Sequence, residues 1–219
     1  MSKLGTDSGT RYVAALIRTL ADPADAADLD EVRRLQDAVT ASQAGVGAVE
    51  LPAWDQASLA RTRDALKVLA SGLSSFEHAF GSREEVDPLR RLIGAAAGWG
   101  GNPDSEAIYI GDTPEKNDGK TVYRLTVKDV PVDGFWSISV YNAAGYFEPN
   151  SRNAYTINSI TAKKSADGSI TIQFGGCDDQ TPNCVPTPPG WNYLVRLYRP
   201  RAEVREHRWS FPKAEPDAS

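Results

Sequence analysis

Beyond Gly101 the chain adopts a period of two that few folds other than a sheet can use. Trp136, Ile138 and Val140 alternate with Ser137 and Ser139, and Ile170, Ile172 and Phe174 alternate with Thr171 and Gln173. Successive side chains of a strand point to opposite faces, so such rows give one apolar and one polar face. Short β-rich runs of this kind fall at 107–110, 122–128, 135–142, 154–158, 169–174 and 193–199. Asn117-Asp118-Gly119 and Ala166-Asp167-Gly168 lie between runs, where hairpin turns belong. This pattern predicts a sandwich or barrel.

The first hundred residues have a different grammar. Tyr12, Val13, Leu16, Ile17 and Leu20 recur at helical spacing. Asp22-Pro23 and Asp87-Pro88 are helix starts, with Asp as N-cap and Pro in the first turn, and Asp55 caps another helix. Val32, Leu35 and Val39 form the expected buried face of one helix, and Leu59, Leu66, Leu69 and Leu73 that of the next. Leu89, Leu92 and Ile93 follow Asp87-Pro88 until Gly98, Gly100 and Gly101 break the pattern. The fold class is therefore α+β: a helical segment over residues 1–98, a sandwich over 99–212, and a frayed tail over 213–219.

Several phrases of the second half are ordered as in one known family. They are Asp133-Gly134-Phe135-Trp136-Ser137, Val140-Tyr141-Asn142, Gly145-Tyr146-Phe147-Glu148-Pro149-Asn150, Asp167-Gly168-Ser169-Ile170-Thr171-Ile172, Gly190-Trp191-Asn192-Tyr193, Arg196-Leu197-Tyr198-Arg199-Pro200 and Trp209-Ser210-Phe211-Pro212. Across about residues 99–212 the chain resembles the domain-of-unknown-function family numbered 1214. The resemblance implies a jelly-roll-like antiparallel sandwich and brings no catalytic motif with it. The chain departs from the family's usual wording at Ser151-Arg152-Asn153-Ala154-Tyr155 and at Arg205-Glu206-His207-Arg208.

Composition narrows the function classes. The 219 residues carry a formal charge of −5 without a basic stripe, which argues against a phosphate backbone as the main partner. No run approaches the roughly 20 apolar residues of a membrane span, and Arg11 and Arg18 interrupt any signal-like stretch. A cytoplasmic protein is expected, or a secreted or periplasmic one whose signal has been removed. Cys177 and Cys184 are the two cysteines; their spacing permits a disulfide, while two thiols and two histidines make a poor metal kit. No cofactor fingerprint and no nucleophile elbow is present.

The chemistry-bearing residues gather near strand ends. Tyr141, Tyr146, Asn150, Arg152 and Tyr155 form one aromatic and polar set, with Asn142, Phe147 and Asn153 among them. Trp191 and Arg196 belong to a second, with Asn192, Tyr193 and Tyr198, and alternation puts Arg196 opposite Tyr193, Val195 and Leu197. Aromatic faces beside amide and guanidinium donors suit a small polar or carbohydrate-like ligand. Turn formation and core packing account for the same residues more blandly. Whether the chain is an enzyme stays open: a hydrolase or lyase would place its site at the helix/sandwich junction and use Tyr, Arg, Asp133 or His207. Self-association through the helices, giving a homo-oligomer, is a third class.

Overall fold

The computed structural model describes residues 15–19, 21–22, 25–42, 45, 47–48, 50–73, 75–98, 100–178 and 181–217. The chain divides into two compact units, Met1–Ala53 and Trp54–Ser219.

Among the described residues of the first unit there is one helix, α1 (Ala26–Asp37). Its N-cap is Asp25, whose carboxylate accepts from the N–H groups of Ala27 and Asp28. The cap expected at Asp22 thus moves three residues on, and Pro23 lies outside the described residues. Val32 is buried, but Leu35 and Val39 are exposed, so the expected apolar face is only partly used. Residues 15–19 are not helical, and the remainder of the helix expected around Tyr12–Leu20 lies outside the described residues.

The second unit opens with α2 (Gln56–Ser71), capped by Asp55 through the N–H groups of Ala57 and Ser58 and closed at Gly72. α3 (Pro88–Ala97) follows, with Asp87 accepting from the Arg90 N–H at 2.8 Å and Pro88 in the first turn. Both starts follow from the orphan N–H groups of a first helical turn, which a carboxylate satisfies. No residue of α2 is buried, and Leu59, Leu69, Leu89 and Leu92 face solvent. What fixes α3 is Phe80. A Cβ on Gly94 would lie 2.8 Å from Ala79 Cβ, and one on Gly101 would lie 2.4 Å from the Phe80 ring, so both glycines are needed for close packing.

The strands build two four-stranded sheets. The first has β1 (Ala107–Asp112), β7 (Asn192–Tyr198), β3 (Trp136–Tyr141) and β4 (Thr156–Asn158), in the order β1-β7-β3-β4. The second has β6 (Cys184–Val185), β5 (Ile170–Phe174), β2 (Tyr123–Val127) and β8 (Glu215–Pro216), in that order. A short helix, α4 (Ala202–Arg205), follows β7. In the first sheet Trp136 pairs with Leu197, Ile138 with Val195 and Val140 with Tyr193. In the second Leu125 pairs with Ile172 and Tyr123 with Phe174. These residues are buried in one core, with Ile138, Ile172, Phe174 and Leu197 at 0% exposure. The period-two rows therefore face inward as the sequence predicts.

Three expectations need correction. β6 runs parallel to β5, with Cys184 opposite Gln173, so the second sheet is mixed. Neither predicted turn closes a hairpin between adjacent strands. β1 and β2 lie in different sheets, as do β4 and β5, so the turns at 117–119 and 166–168 carry the chain between sheets. Asp118 folds its own loop instead, accepting from the N–H groups of Lys120 and Thr121. The segment read as a frayed tail is tied down to Asp217: β8 pairs with Tyr123 and Arg124, and Asp217 meets Arg124 at 2.9 Å. The Cys177–Cys184 disulfide is formed.

Two stability outcomes follow. Ile172→Ala should lower the unfolding free energy by about 2–5 kcal/mol in urea titration, because the site is fully enclosed and cannot collapse. Reducing the disulfide, which joins residues seven positions apart, should cost about 2–3 kcal/mol from loop-closure entropy, read as the difference between titrations with and without a thiol reductant.

Candidate functional site

Alternation on β3 and β7 decides which side chains reach the outer face of the first sheet. Since Tyr193, Val195 and Leu197 turn inward, Arg196 turns outward, and its register partner Ser137 lies beside Ser139 and Tyr141 on that face. The Arg196 guanidinium donates to Tyr141 Oη at 2.6 Å and to Ser139 Oγ at 3.0 Å. Its central carbon stands 5.9 Å from the Tyr141 ring centroid, within cation–π range. Ser139 also shares a 2.7 Å hydrogen bond with Thr156, which explains why this polar side chain is buried on an outward face.

The loop from Asn142 to Tyr155 folds back over Tyr141. Phe147 stacks on the Tyr141 ring at 4.9 Å with the planes 5° apart, and Tyr155 lies 5.3 Å from Phe147. Asn142 organises the tip by accepting from the N–H groups of Ala144 and Tyr146, and its amide donates to Glu148 at 3.2 Å. Tyr146 projects outward at 70% exposure, and Phe147 is half exposed. The result is a platform of rings: the recess beside it, lined by Tyr141, Asn150 and Tyr155 among others, holds only about 10 Å³.

The sequence-derived residues separate into groups. Tyr141, Tyr155 and Arg196 are brought together, with Tyr146 at the edge. Asn150 clasps the loop, donating to Ala154 O at 2.9 Å and accepting from Ala154 N–H at 3.1 Å. Arg152 donates to the carbonyls of Asp178 and Thr181, tying the loop to the disulfide segment. Trp191 lies elsewhere, at 0% exposure in the core, stacked on Phe174 and Tyr193. The inward parity of 193, 195 and 197 extends to 191, and that signal was available in the sequence.

A second concavity lies within the second unit, between residues 77–85, residues 103–108 and the end of α4. It has a volume of about 470 Å³. Both histidines of the chain line it. His78 Nδ1 stands 3.5 Å from Asp104 Oδ2, which also accepts the His78 N–H at 2.8 Å, and His207 Nε2 stands 3.4 Å from Glu77 Oε2. Both histidines take left-handed backbone, with φ of 58° and 55°. Sequence separation hid these pairs: the partners stand 26 and 130 positions apart, and no local motif links them.

Other candidate groups are committed. Asp133 pairs with Arg201 at 2.7 Å, and that guanidinium holds its carboxyl below the usual range. Tyr193 donates to Asp112 at 3.0 Å and accepts from the Ala214 N–H, and burial pushes its phenol up. Among the described residues no three His, Cys, Asp or Glu side chains converge to hold a metal ion. No helix among them is long and apolar enough to cross a membrane.

Comparison with known proteins agrees with the architecture. The chain is similar in structure to the VPA0106 protein from Vibrio parahaemolyticus, with a TM-score of 0.58 at 19% identity over 95% of this chain. It spans 60% of that protein's length, and at this identity the likeness concerns the fold alone. An uncharacterized protein from Burkholderia cenocepacia aligns with a TM-score of 0.41 at 13% identity, over 70% of this chain and 37% of that one. No curated protein matches. The family model named Protein of unknown function (DUF1214) matches residues 106–202, the stretch that holds β1 to β7 and the ring platform. Over those residues the chain is similar to that family.

Proposed function

We propose that this chain binds a small polar, carbohydrate-like ligand on the ring platform of its jelly-roll-like sandwich. One observation carries the reading: Phe147, half exposed, lies flat on a Tyr141 ring that Arg196 fixes from the side. A sugar ring offers an apolar C–H face and an equatorial rim of hydroxyls. Stacking covers the first, and Asn142 and Glu148 at the loop tip are suited to the second. The flatness of the surface favours a ligand that lies across it over one that is engulfed. An apolar ring exposed to water is costly to leave uncovered, and two adjacent ones are typical of a contact surface.

The enzyme alternative drew on Asp133 and His207. Asp133 is engaged by Arg201, and its lowered pKa makes it a weaker base near neutral pH. It does not line the cleft that holds His207. The binding reading therefore has the stronger support.

Ligand-observed NMR against a panel of soluble mono- and oligosaccharides tests it. At least one sugar should give saturable binding that weakens about tenfold, equivalent to about 1.4 kcal/mol, in both Tyr146→Ala and Phe147→Ala. Arg152→Ala should weaken it less, through loosening of the loop. A panel without a binder, or variants that bind as the parent does, would sink the proposal.

A further inference from the structure

Two local clasps meet at one guanidinium beside the Cys177–Cys184 disulfide. The first belongs to the platform loop: Asn150 bonds both the N–H and the carbonyl of Ala154 through its side chain, and its own carbonyl accepts the Asn153 N–H at 3.0 Å. The second lies within the disulfide ring, where the Asp178 carboxylate accepts from the Thr181 N–H at 2.8 Å and from the Thr181 hydroxyl at 2.6 Å. Arg152, at the tip of the first clasp, donates to the carbonyls of Asp178 and Thr181 in the second. The disulfide sets where those carbonyls stand. Before Cys177 the chain passes through Gly175 and Gly176, with φ of 75° and 59°, a backbone region that glycine enters freely and that leaves a pliant joint. Cys184, by contrast, is fixed in β6 at 3% exposure. The sulfur–sulfur bond therefore fastens Cys177, and with it the Asp178 carbonyl, to the sheet.

We infer that this disulfide is a redox-sensitive latch on the ring platform. Closed, it holds the Asp178 and Thr181 carbonyls where Arg152 bridges them. Opened by a dithiol reductant, it releases Arg152 and the loop that bears Phe147 and Tyr155. Cys177 is half-buried whereas Cys184 is buried, so the reductant's thiolate attacks Cys177 Sγ. A bond forms to that sulfur, the sulfur–sulfur bond breaks, and the electron pair leaves on Cys184 Sγ, which takes a proton from water. The reductant's second thiol then displaces Cys177, which also leaves protonated, and the reductant closes its own disulfide. Two electrons and two protons pass to the protein. The core is outside this device, because Ile172, Phe174, Val195 and Leu197 are held by packing between the sheets. The inference concerns the order of the loop, and it holds whether or not the platform takes a sugar.

Hydrogen exchange on the full chain, read by mass spectrometry over residues 143–156, tests this, with the hydrogen-bonded amides of Asn153 and Ala154 as reporters. Adding dithiothreitol should speed exchange there about tenfold, while a peptide covering β7 keeps its rate and reoxidation restores protection. Arg152→Ala in the oxidised chain should show the same acceleration, and reduction should add nothing to it, since both changes cut one link. Cys177→Ser/Cys184→Ser, read without reductant, should match the reduced parent. Unchanged exchange in the loop on reduction, equal acceleration in β7, or additive effects of Arg152→Ala and reduction would overturn the inference. Sugar binding is read separately and bears only on the platform proposal.

Discussion

Two sheets that each bury one apolar face leave their strands no freedom of register, and the surface features of this protein descend from that restriction. Ile138, Val195 and Leu197 on one sheet and Leu125, Ile172 and Phe174 on the other meet in a single core. Each such side chain contributes about 1.5–3 kcal/mol by leaving water. A slip of one residue would move the whole set outward. Holding Val195 and Leu197 inside forces Arg196 outside, and holding Val140 inside forces Tyr141 outside, beside it. The anchored Tyr141 ring is thus a consequence of core packing one residue away.

The same restriction explains what could be read from the sequence. Long rows with a clear period declare both their type and their inward face, so β2, β3, β5 and β7 were legible, as was the outward direction of Arg196. Helix starts were legible where an Asp stands immediately before a periodic run, at Asp55 and Asp87. At Asp22 a second Asp three residues on competes, and Asp25 wins the cap. β6 and β8 contain two residues each and are too short to express a period. Pairing order was beyond local pattern, since β1 finds β7 more than eighty residues away and β2 finds β5.

Helical apolar positions were the least reliable guide. Leu59, Leu69, Leu89 and Leu92 recur at helical spacing, yet they are exposed, because the second unit satisfies α3 through Ile93, Gly94 and Phe80. Periodicity states that a helix has an apolar face; it does not state that the chain supplies a surface to cover it. The histidine–carboxylate pairs illustrate the converse. Nothing at 77–78, at 104 or at 207 is distinctive alone, and the grouping is created only when Phe80 locks the helical segment beside the β1 entrance.

Charge arrangement then separates the two candidate surfaces. At the platform both arginines are spent within the protein: Arg196 on Tyr141 and Ser139, Arg152 on the carbonyls of Asp178 and Thr181. Donors engaged in this way position rings and loops. What the platform itself presents is ring faces, with the exposed Glu148 carboxylate at the loop tip. In the cleft the balance is reversed, with more carboxylates than cations among the lining residues. The platform therefore presents ring faces and the cleft presents carboxylates, and the outward parity of Tyr141 and Arg196, set by the core residues beside them, decides the first.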